Sequence, residues 1–422
     1  MKKTISFSLP ILLGAAGVLL GQDNSTTANQ NGSYEELPEL KASEILKPEF
    51  VKGPHFSVRE PVTTTTGANE FVIDSDYGVF EAGGNEMLVQ RIKEIETITQ
   101  LKDVSRTDQF KDSLTTAAKA PINAAKNVIE DPGAAFSNAG KGLMKFMKRT
   151  GQTVKNVSQG KTEKSRDNTA ESAIGYSRAK RKIAVEMGVD PYTTNRVLQK
   201  ELDGIAWASW AGGFAFSAAT FPISGPAGAA LSVSKMSSSI GQLISEKTPT
   251  ELKAINRSAL RGMGVSASDC ERFLENTAFT PSQQTEFVMN LKALQNVQNR
   301  GAFVHAAAET CSSDADALFC ILTSELMGRV NAEKPFARIV TLGDFPLAIA
   351  NDGTVVLALQ WDSAAWTPAA ATFASQIQEL AHNSGNKGVL IALSGDASSR
   401  LKQELQSRGF TVHDRVSPGP LK

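Results

Sequence analysis

"ARIVTLGDFPLAIANDGTVVLALQW", residues 337–361, decides the fold class of this chain. Its three apolar runs, ARIVTLG, FPLAIA and TVVLALQW, are typical of β-strands. The triplet Asn351-Asp352-Gly353 between the last two runs predicts a tight hairpin. A helix, a buried strand, a second helix and a last strand follow in sequence. The order βββαβαβ predicts a small α/β domain at 335–418, in which right-handed crossovers make the last strands parallel.

Upstream of this domain, residues 173–330 predict an all-helical domain. Residues that favour helix N-caps precede three of its helices, at Thr248, Ser266 and Thr280. Residues 51–150 begin with two short strands, EFVIDS and YGVFEA, and continue as helices. The predicted fold is therefore α+β overall, with a short N-terminal β hairpin, a mainly α-helical middle and a small C-terminal α/β domain.

The N-terminus has the pattern of a secretory signal peptide at residues 1–21. Lys2 and Lys3 precede an apolar run that is shorter than the roughly 20 residues of a spanning helix. We therefore expect an exported bacterial protein that resides in the periplasm or medium, with envelope association left open. Residues 22–50 are polar and predict a disordered tail, and residues 151–172 predict a polar linker.

Composition and motifs narrow the function classes. Lys plus Arg and Asp plus Glu both total 44, so no global charge indicates nucleic acid as a partner. The sequence contains no HExxH, GxSxG or P-loop motif, no GxGxxG after a strand, and no CxxC pair or Cys/His cluster for zinc. We predict no cofactor and assign no catalytic residue, and the sequence favours a protein without enzymatic activity.

A basic stretch within residues 140–156, GKGLMKFMKRTGQTVKN, suggests one partner. Lys141, Lys145 and Lys148 fall on one helix face, and apolar residues fall on another. Such a helix can lie on an anionic membrane surface. The favoured alternative is an ordinary surface helix whose lysines contribute solubility. The sequence identifies no protein partner.

Residues 204–240 predict a helical hairpin rich in small and aromatic residues. Its first helix carries an aromatic stripe at Trp207, Trp210 and Phe214. A second stripe, of small residues, allows close approach of another helix. Strongly apolar residues are few, so membrane insertion is marginal in energy. The hairpin is therefore expected inside the helical domain, with a conditional membrane insert of the pore-former type as the alternative.

Candidate ligand residues follow two strands of the C-terminal domain. Asp362 comes after the strand that ends at Trp361, and Ser394 and Asp396 come after the strand that ends at Leu393. Ligands of such sheets bind beyond the carboxyl ends of the strands, where oxygen ligands could hold a divalent cation. The favoured alternative is that these residues form a turn and cap the next helix.

The chain has three cysteines, which raise the question of a disulfide. On one continuous helix the Cα atoms of Cys311 and Cys320 would lie about 13 Å apart, too far for a bond. A break at SSDAD between them would bring them together. A Cys311–Cys320 disulfide and three buried reduced thiols, including Cys270, remain equally compatible with the sequence.

Together these features predict an exported bacterial envelope protein that acts as a binding or structural module. One alternative is a metal-dependent enzyme in the C-terminal domain. The other is a membrane-inserting protein that uses residues 204–240.

Overall fold

A computed structural model describes residues 34–37, 39–65, 67–119, 167–217, 238–383, 385 and 388–422. The predicted signal peptide, Lys141, Lys145 and Lys148 lie outside these residues, as do residues 218–237 of the predicted hairpin. The end of its return segment is described and is helical from Ser238. Within them the chain has an N-terminal antiparallel sheet, a helical middle and a C-terminal mixed sheet. The predicted α+β fold class is thereby confirmed.

The N-terminal sheet has six strands in the order β1-β4-β5-β3-β2, with β6 paired to β5. Its elements are β1 Leu40–Lys41, α1 Ala42–Ile45, α2 Pro48–Val51, β2 Lys52–Gly53, β3 Phe56–Val58, β4 Pro61–Thr65, β5 Ala68–Ser75 and β6 Gly78–Gly83. The predicted hairpin is β5–β6. The sheet has more strands than the predicted hairpin. The prediction of a disordered tail through residue 50 is wrong for its last residues, because Ala42, Leu46 and Phe50 are buried.

Helices follow from residue 85. They are α3 Asn85–Arg106, α4 Asp108–Lys119, α5 Asp167–Glu186, α6 Arg196–Gly212, α7 Ser238–Glu246, α8 Pro249–Gly262, α9 Ala267–Glu275, α10 Pro281–Ala293, α11 Gly301–Thr310 and α12 Asp314–Glu333. Thr280 caps α10 through a reciprocal capping box with Gln283, as its sequence position predicts. The predicted linker ends too late, because α5 begins at Asp167.

The C-terminal sheet has five strands in the order β13-β11-β9-β8-β7. Its elements and neighbours are β7 Phe336–Leu342, β8 Phe345–Ala350, β9 Thr354–Leu359, β10 Ser363–Ala364, α13 Pro368–Asn383, β11 Gly388–Leu393, β12 Asp396–Ala397, α14 Ser399–Ser407 and β13 Phe410–His413. The strands β9, β11 and β13 are parallel, as predicted, and β7, β8 and β9 are antiparallel.

The chain divides into two compact units at different places from the predicted boundaries. Unit 1 consists of Met1–Arg91 with Lys253–Lys422, and unit 2 consists of Ile92–Leu252. The predicted boundary between helical and α/β domains near residue 330 lies inside unit 1. The physical reason is a shared core, because α11 and α12 pack on the C-terminal sheet.

Both faces of the C-terminal sheet are covered. Residues of α12 such as Ile321 and Met327 share one core with Val356 and Leu390 of the sheet. On the other face, α13 and α14 bury side chains against the strands, at Ile377, Leu401, Leu347, Val355 and Ile391. Burial on both faces explains why these strands are continuous apolar runs in the sequence.

In unit 2, α6 packs against α4 and α5, and α5 packs against α7. The predicted first helix of the hairpin is too long. It ends at Gly212, because Gly213 adopts left-handed backbone at φ 70° and its N–H returns to the Ala208 carbonyl. Phe214 is therefore beyond the helix. It is nevertheless buried, edge-on to Phe110 at 5.6 Å between ring centroids.

The two tryptophans of the predicted aromatic stripe lie on α6 and are half-buried. The Trp207 ring lies 5.5 Å from that of Trp210 and 6.4 Å from that of Tyr176 on α5. The close approach predicted for the small residues occurs at Gly212. Its partner is α4, where the Ser113 carbonyl adjoins the glycine.

Candidate functional site

The structure brings the three candidate residues of the C-terminal domain to one edge of the sheet. The parallel strands β9 and β11 are in register, with Leu359 opposite Leu393. Past this point the two chains stay together, because β10 pairs with β12 and Ser363 lies opposite Asp396. The backbone N–H of Asp396 donates to the Asp362 carbonyl at 2.9 Å. The predicted juxtaposition of these segments is therefore present.

The Asp362 carboxyl group is hydrogen-bonded to the N-terminal sheet. Its Oδ2 accepts the backbone N–H of Asn69 in β5 at 2.9 Å and that of Asn85 at 3.1 Å. Asn85 is the first residue of α3, so the carboxyl group lies at a helix N-terminus, where negative charge is stabilised. Asp362 thus joins the two sheets of unit 1.

Burial and neighbouring acids set the charge of this group. Burial raises the pKa of Asp362 to about 7, opposed by the two backbone N–H groups, while Glu86 and Glu70 raise it further. Burial also raises the pKa of Glu86 to about 7, with Glu325 acting in the same direction and Arg329 against it. Both carboxyl groups therefore titrate near neutral pH.

Ser394 and Asp396 point to other partners. The buried Ser394 hydroxyl donates to the Trp361 carbonyl at 2.9 Å. Asp396 is exposed, and its Oδ1 lies 3.3 Å from Nε of Arg415. The three side chains therefore do not converge on a common point. In the part of the chain that the structure describes, no group of three or more His, Cys, Asp or Glu could hold a metal ion.

The alternative interpretation is that one of these residues caps the helix that follows. That helix does have a side-chain cap, but a different residue provides it. The N-cap of α14 is Ser398, whose Oγ accepts the backbone N–H of Leu401 at 3.0 Å. Asp362 caps a helix too, but that helix is α3, 277 positions earlier in the chain. Sequence spacing could not reveal this partner, because capping patterns are read over a few residues.

Glu35 is a site residue that the sequence did not single out. Its Oε2 accepts the Trp366 backbone N–H and the Ser398 hydroxyl, each at 2.6 Å. Its own backbone N–H donates to the Trp366 carbonyl at 2.9 Å. The N-terminal segment is thereby attached to the start of α14. A single acid in a polar stretch carries no sequence signal for such a contact.

The β4–β5 turn completes this edge. The carbonyl of Gly67 accepts the backbone N–H groups of Asp362 at 2.8 Å and Ser363 at 3.2 Å. The backbone after β9 is therefore bonded to the N-terminal sheet as well as to the segment after β11. Three separate N-terminal positions, Glu35, Gly67 and Asn69, contact the carboxyl-end edge of the C-terminal sheet.

Unit 2 contains a second polar cluster, also absent from the sequence predictions. Asp203 is buried, and its Oδ1 accepts the Tyr176 hydroxyl at 2.6 Å and lies 2.5 Å from Nζ of Lys180. On α3 the buried Glu94 accepts hydrogen bonds from Thr193 at 2.5 Å and from Asn195 at 3.1 Å. These groups satisfy one another, which is what a buried charge requires.

The predicted cysteine pair is brought together. The Sγ atoms of Cys311 and Cys320 lie 3.2 Å apart, and both residues are buried free thiols. The helix break that the sequence required lies between them, because α11 ends at Thr310 and α12 begins at Asp314.

No protein family, no curated protein and no solved structure matches this chain. None of the helices described here is long and apolar enough to cross a membrane.

Proposed function

We propose that this chain is an exported bacterial envelope protein that acts as a binding or structural module. The observation that supports the proposal is that polar side chains at the carboxyl-end edge of the C-terminal sheet are hydrogen-bonded within the chain itself. There Asp362 is hydrogen-bonded to Asn69 and Asn85, and Ser398 is hydrogen-bonded to Glu35. The chain uses for its own assembly the edge at which α/β sheets ordinarily bind ligands.

This arrangement favours a structural role over the alternative of a metal-dependent enzyme. A cation bound through Oδ2 of Asp362 would compete with two backbone N–H groups, and these would be unpaired at a buried position if that oxygen left them. Leaving such groups unpaired costs about 1–3 kcal/mol each. Ser394 and Asp396 would also have to leave their present partners.

Calorimetric titration with Mg²⁺, Mn²⁺ and Ca²⁺ tests this choice. A binding or structural module should give no saturable heat with any of the three cations. Saturable binding that disappears in Asp362→Ala and persists in Asp352→Ala, a matched exposed aspartate, would favour the enzyme instead.

Export is the part of the proposal that rests on the signal pattern at residues 1–21. Fractionation of cells into cytoplasm, periplasm, membrane and medium should place the protein outside the cytoplasm. Mass spectrometry should find a mature N-terminus that lacks Lys2 and Lys3. An intact Met1 on a cytoplasmic protein would overturn this part of the proposal.

The proposed partner is an anionic membrane surface, contacted through Lys141, Lys145 and Lys148. Binding to vesicles with anionic headgroups should weaken at high salt, because the screening length falls to about 3 Å at 1 M salt. Replacement of the three lysines by Gln should weaken binding similarly, and replacement by Arg should preserve it. Equal binding to neutral and anionic vesicles would contradict the proposed contact.

A further inference from the structure

Two of the three cysteines meet at the junction of α11 and α12. Cys311 is the C-cap residue of α11, and its N–H bonds to the Ala307 carbonyl at 3.2 Å. Cys320 lies on α12 and faces back toward it, with 3.2 Å between the two Sγ atoms. The contact is between side chains of adjacent elements in unit 1, and it follows from how the intervening turn is built.

The turn between the helices is closed by Asp316. Its Oδ2 accepts the backbone N–H groups of Ser312 at 2.8 Å and Ser313 at 2.9 Å. The Ser313 hydroxyl in turn accepts the Asp316 N–H, which completes a capping box at the start of α12. Because these bonds determine the direction of α12, the two sulfur atoms are held together by backbone geometry rather than by chance side-chain orientation.

There is room beside the sulfur atoms for a bond to form. A bonded pair needs an Sγ–Sγ distance of about 2.05 Å, so the sulfurs must approach by roughly 1 Å. Both cysteines border a small cavity whose wall also includes Phe303, Phe319 and Pro346. This cavity gives the two side chains space into which they can rotate as the sulfur atoms approach.

We propose that Cys311 and Cys320 form an intramolecular disulfide on exposure to a small disulfide oxidant, and that Cys270 remains a free thiol. One thiol loses its proton and attacks the oxidant, forming a mixed disulfide and releasing one reduced thiol. The second cysteine then loses its proton and attacks the first Sγ, releasing the other half of the oxidant as a thiol. Two electrons pass to the oxidant, whose disulfide becomes two thiols.

The surroundings indicate which cysteine attacks first. The hydrogen bond with Cys311 and burial both raise the pKa of the Cys320 thiol well above its ordinary value. Since only the thiolate is nucleophilic, this disfavours Cys320 as the first attacking group. Cys311 is therefore expected to form the mixed disulfide, and Cys320 to resolve it. Cys270, fully buried on α9, is the thiol left over.

Peptide mapping of the purified full chain tests the pairing. The protein is incubated in its folded state with oxidised glutathione, then unfolded and alkylated without reductant. Trypsin releases residues 301–329, which contain both Cys311 and Cys320, and residues 262–272, which contain Cys270. We expect peptide 301–329 about 2 Da lighter than its reduced form and unalkylated. Peptide 262–272 should carry one alkyl group.

Two results would overturn the proposal. One is peptide 301–329 with two alkyl groups after oxidation, and the other is a cross-link between the two peptides. In Cys320→Ser, peptide 301–329 should remain open and Cys311 should carry an alkyl group or a glutathione. In Cys270→Ser, the closed peptide should form as in the original chain. Neither result depends on export or on membrane contact.

A stability measurement provides an independent readout. Closing the loop restricts the unfolded chain, so the oxidised protein should unfold several degrees above the reduced protein. The double variant Cys311→Ala, Cys320→Ala should show no difference between oxidising and reducing buffer. A difference of equal size in that variant would assign the effect to another group and contradict the proposed pair.

Discussion

The Oδ2 atom of Asp362 lies 2.9 Å from the backbone nitrogen of Asn69, although 293 positions separate the two residues in the chain. This hydrogen bond joins β5 of the N-terminal sheet to the segment that follows β9 of the C-terminal sheet. It converts a candidate ligand-binding carboxyl group into a connection within unit 1. The first two predictions concern this group.

Asp362→Ala should destabilise the protein strongly, and Asp362→Asn should do so only weakly. Alanine leaves two backbone N–H groups unpaired, at about 1–3 kcal/mol each. Both N–H groups bond to the same oxygen, and the amide oxygen of asparagine can accept both. Urea unfolding of the three proteins below pH 7 measures the difference. Equal destabilisation by the two substitutions would contradict the assigned role of the acceptor oxygen.

The stability of the original chain should decrease as pH rises through the range in which Asp362 titrates. Its pKa rises on folding from an ordinary value of 3.8 to about 7, so the folded state holds the proton more tightly. Between these values unfolding releases a proton. The stabilisation is therefore complete below about pH 4, decreases as pH rises, and is lost above about pH 7.

Comparison with Asp362→Asn isolates this contribution from those of other acids. The variant should lose less stability than the original chain when pH is raised from about 5 to about 8. Glu86→Gln should also lose less stability than the original chain over this pH range, because the pKa of Glu86 is also raised to about 7. Parallel stability curves for the original chain and both variants would contradict the assigned titration.

Gly212→Ala should destabilise unit 2, while Gly204→Ala on the same helix should stabilise it. A Cβ at Gly212 would lie 2.0 Å from the Ser113 carbonyl oxygen of α4, whereas one at Gly204 meets nothing within 4 Å. Overpacking of this kind costs about 1–3 kcal/mol, and replacing an interior helix glycine by alanine contributes roughly 0.5–1 kcal/mol. The midpoint temperature of thermal unfolding should fall in Gly212→Ala and rise in Gly204→Ala. Equal midpoints would show that α4 and α6 can separate freely at this point.

Glu35→Ala should release the N-terminal segment from the C-terminal domain. The substitution removes the acceptor of both the Trp366 N–H and the Ser398 hydroxyl. We expect faster amide hydrogen exchange at Trp366 and earlier proteolysis near residue 35. Glu36→Ala, at the exposed neighbouring acid, is the matched control and should leave both measurements unchanged. Unchanged exchange in Glu35→Ala would mean that the rest of the segment suffices to hold it.

Asp203→Ala should be among the most destabilising substitutions in unit 2. It leaves the Lys180 ammonium without its carboxylate and the buried Tyr176 hydroxyl without its acceptor. Removing one partner of a buried ion pair costs about 3–5 kcal/mol. Replacing both charges, as in Asp203→Leu with Lys180→Met, should recover part of the loss in denaturant unfolding. If the double variant is less stable than Asp203→Ala, packing rather than charge determines the effect.

The sequence by itself determined the type and order of most elements. The apolar residues Leu88, Ile92, Ile95 and Ile98 recur at the three- and four-residue spacing of one helix face, and all four are fully buried on α3. Capping chemistry placed the start of α10 at Thr280, and the apolar runs placed β7, β8 and β9. These features depend on interactions over about four residues along a helix or on alternation along one strand, so a single stretch of sequence is sufficient to predict them.

Only the tertiary structure decided which residues meet across the chain. Asp362 contacts Asn85 over 277 positions, and Glu35 contacts Trp366 over 331 positions. These partners depend on how the N-terminal sheet packs against the C-terminal one, which no local pattern encodes.

The contact between the two cysteines could be predicted in part. The SSDAD segment indicated a break between Cys311 and Cys320, but the direction of α12 came from the turn closed by Asp316. Local periodicity specifies what each segment becomes, and the shared cores specify where it lies.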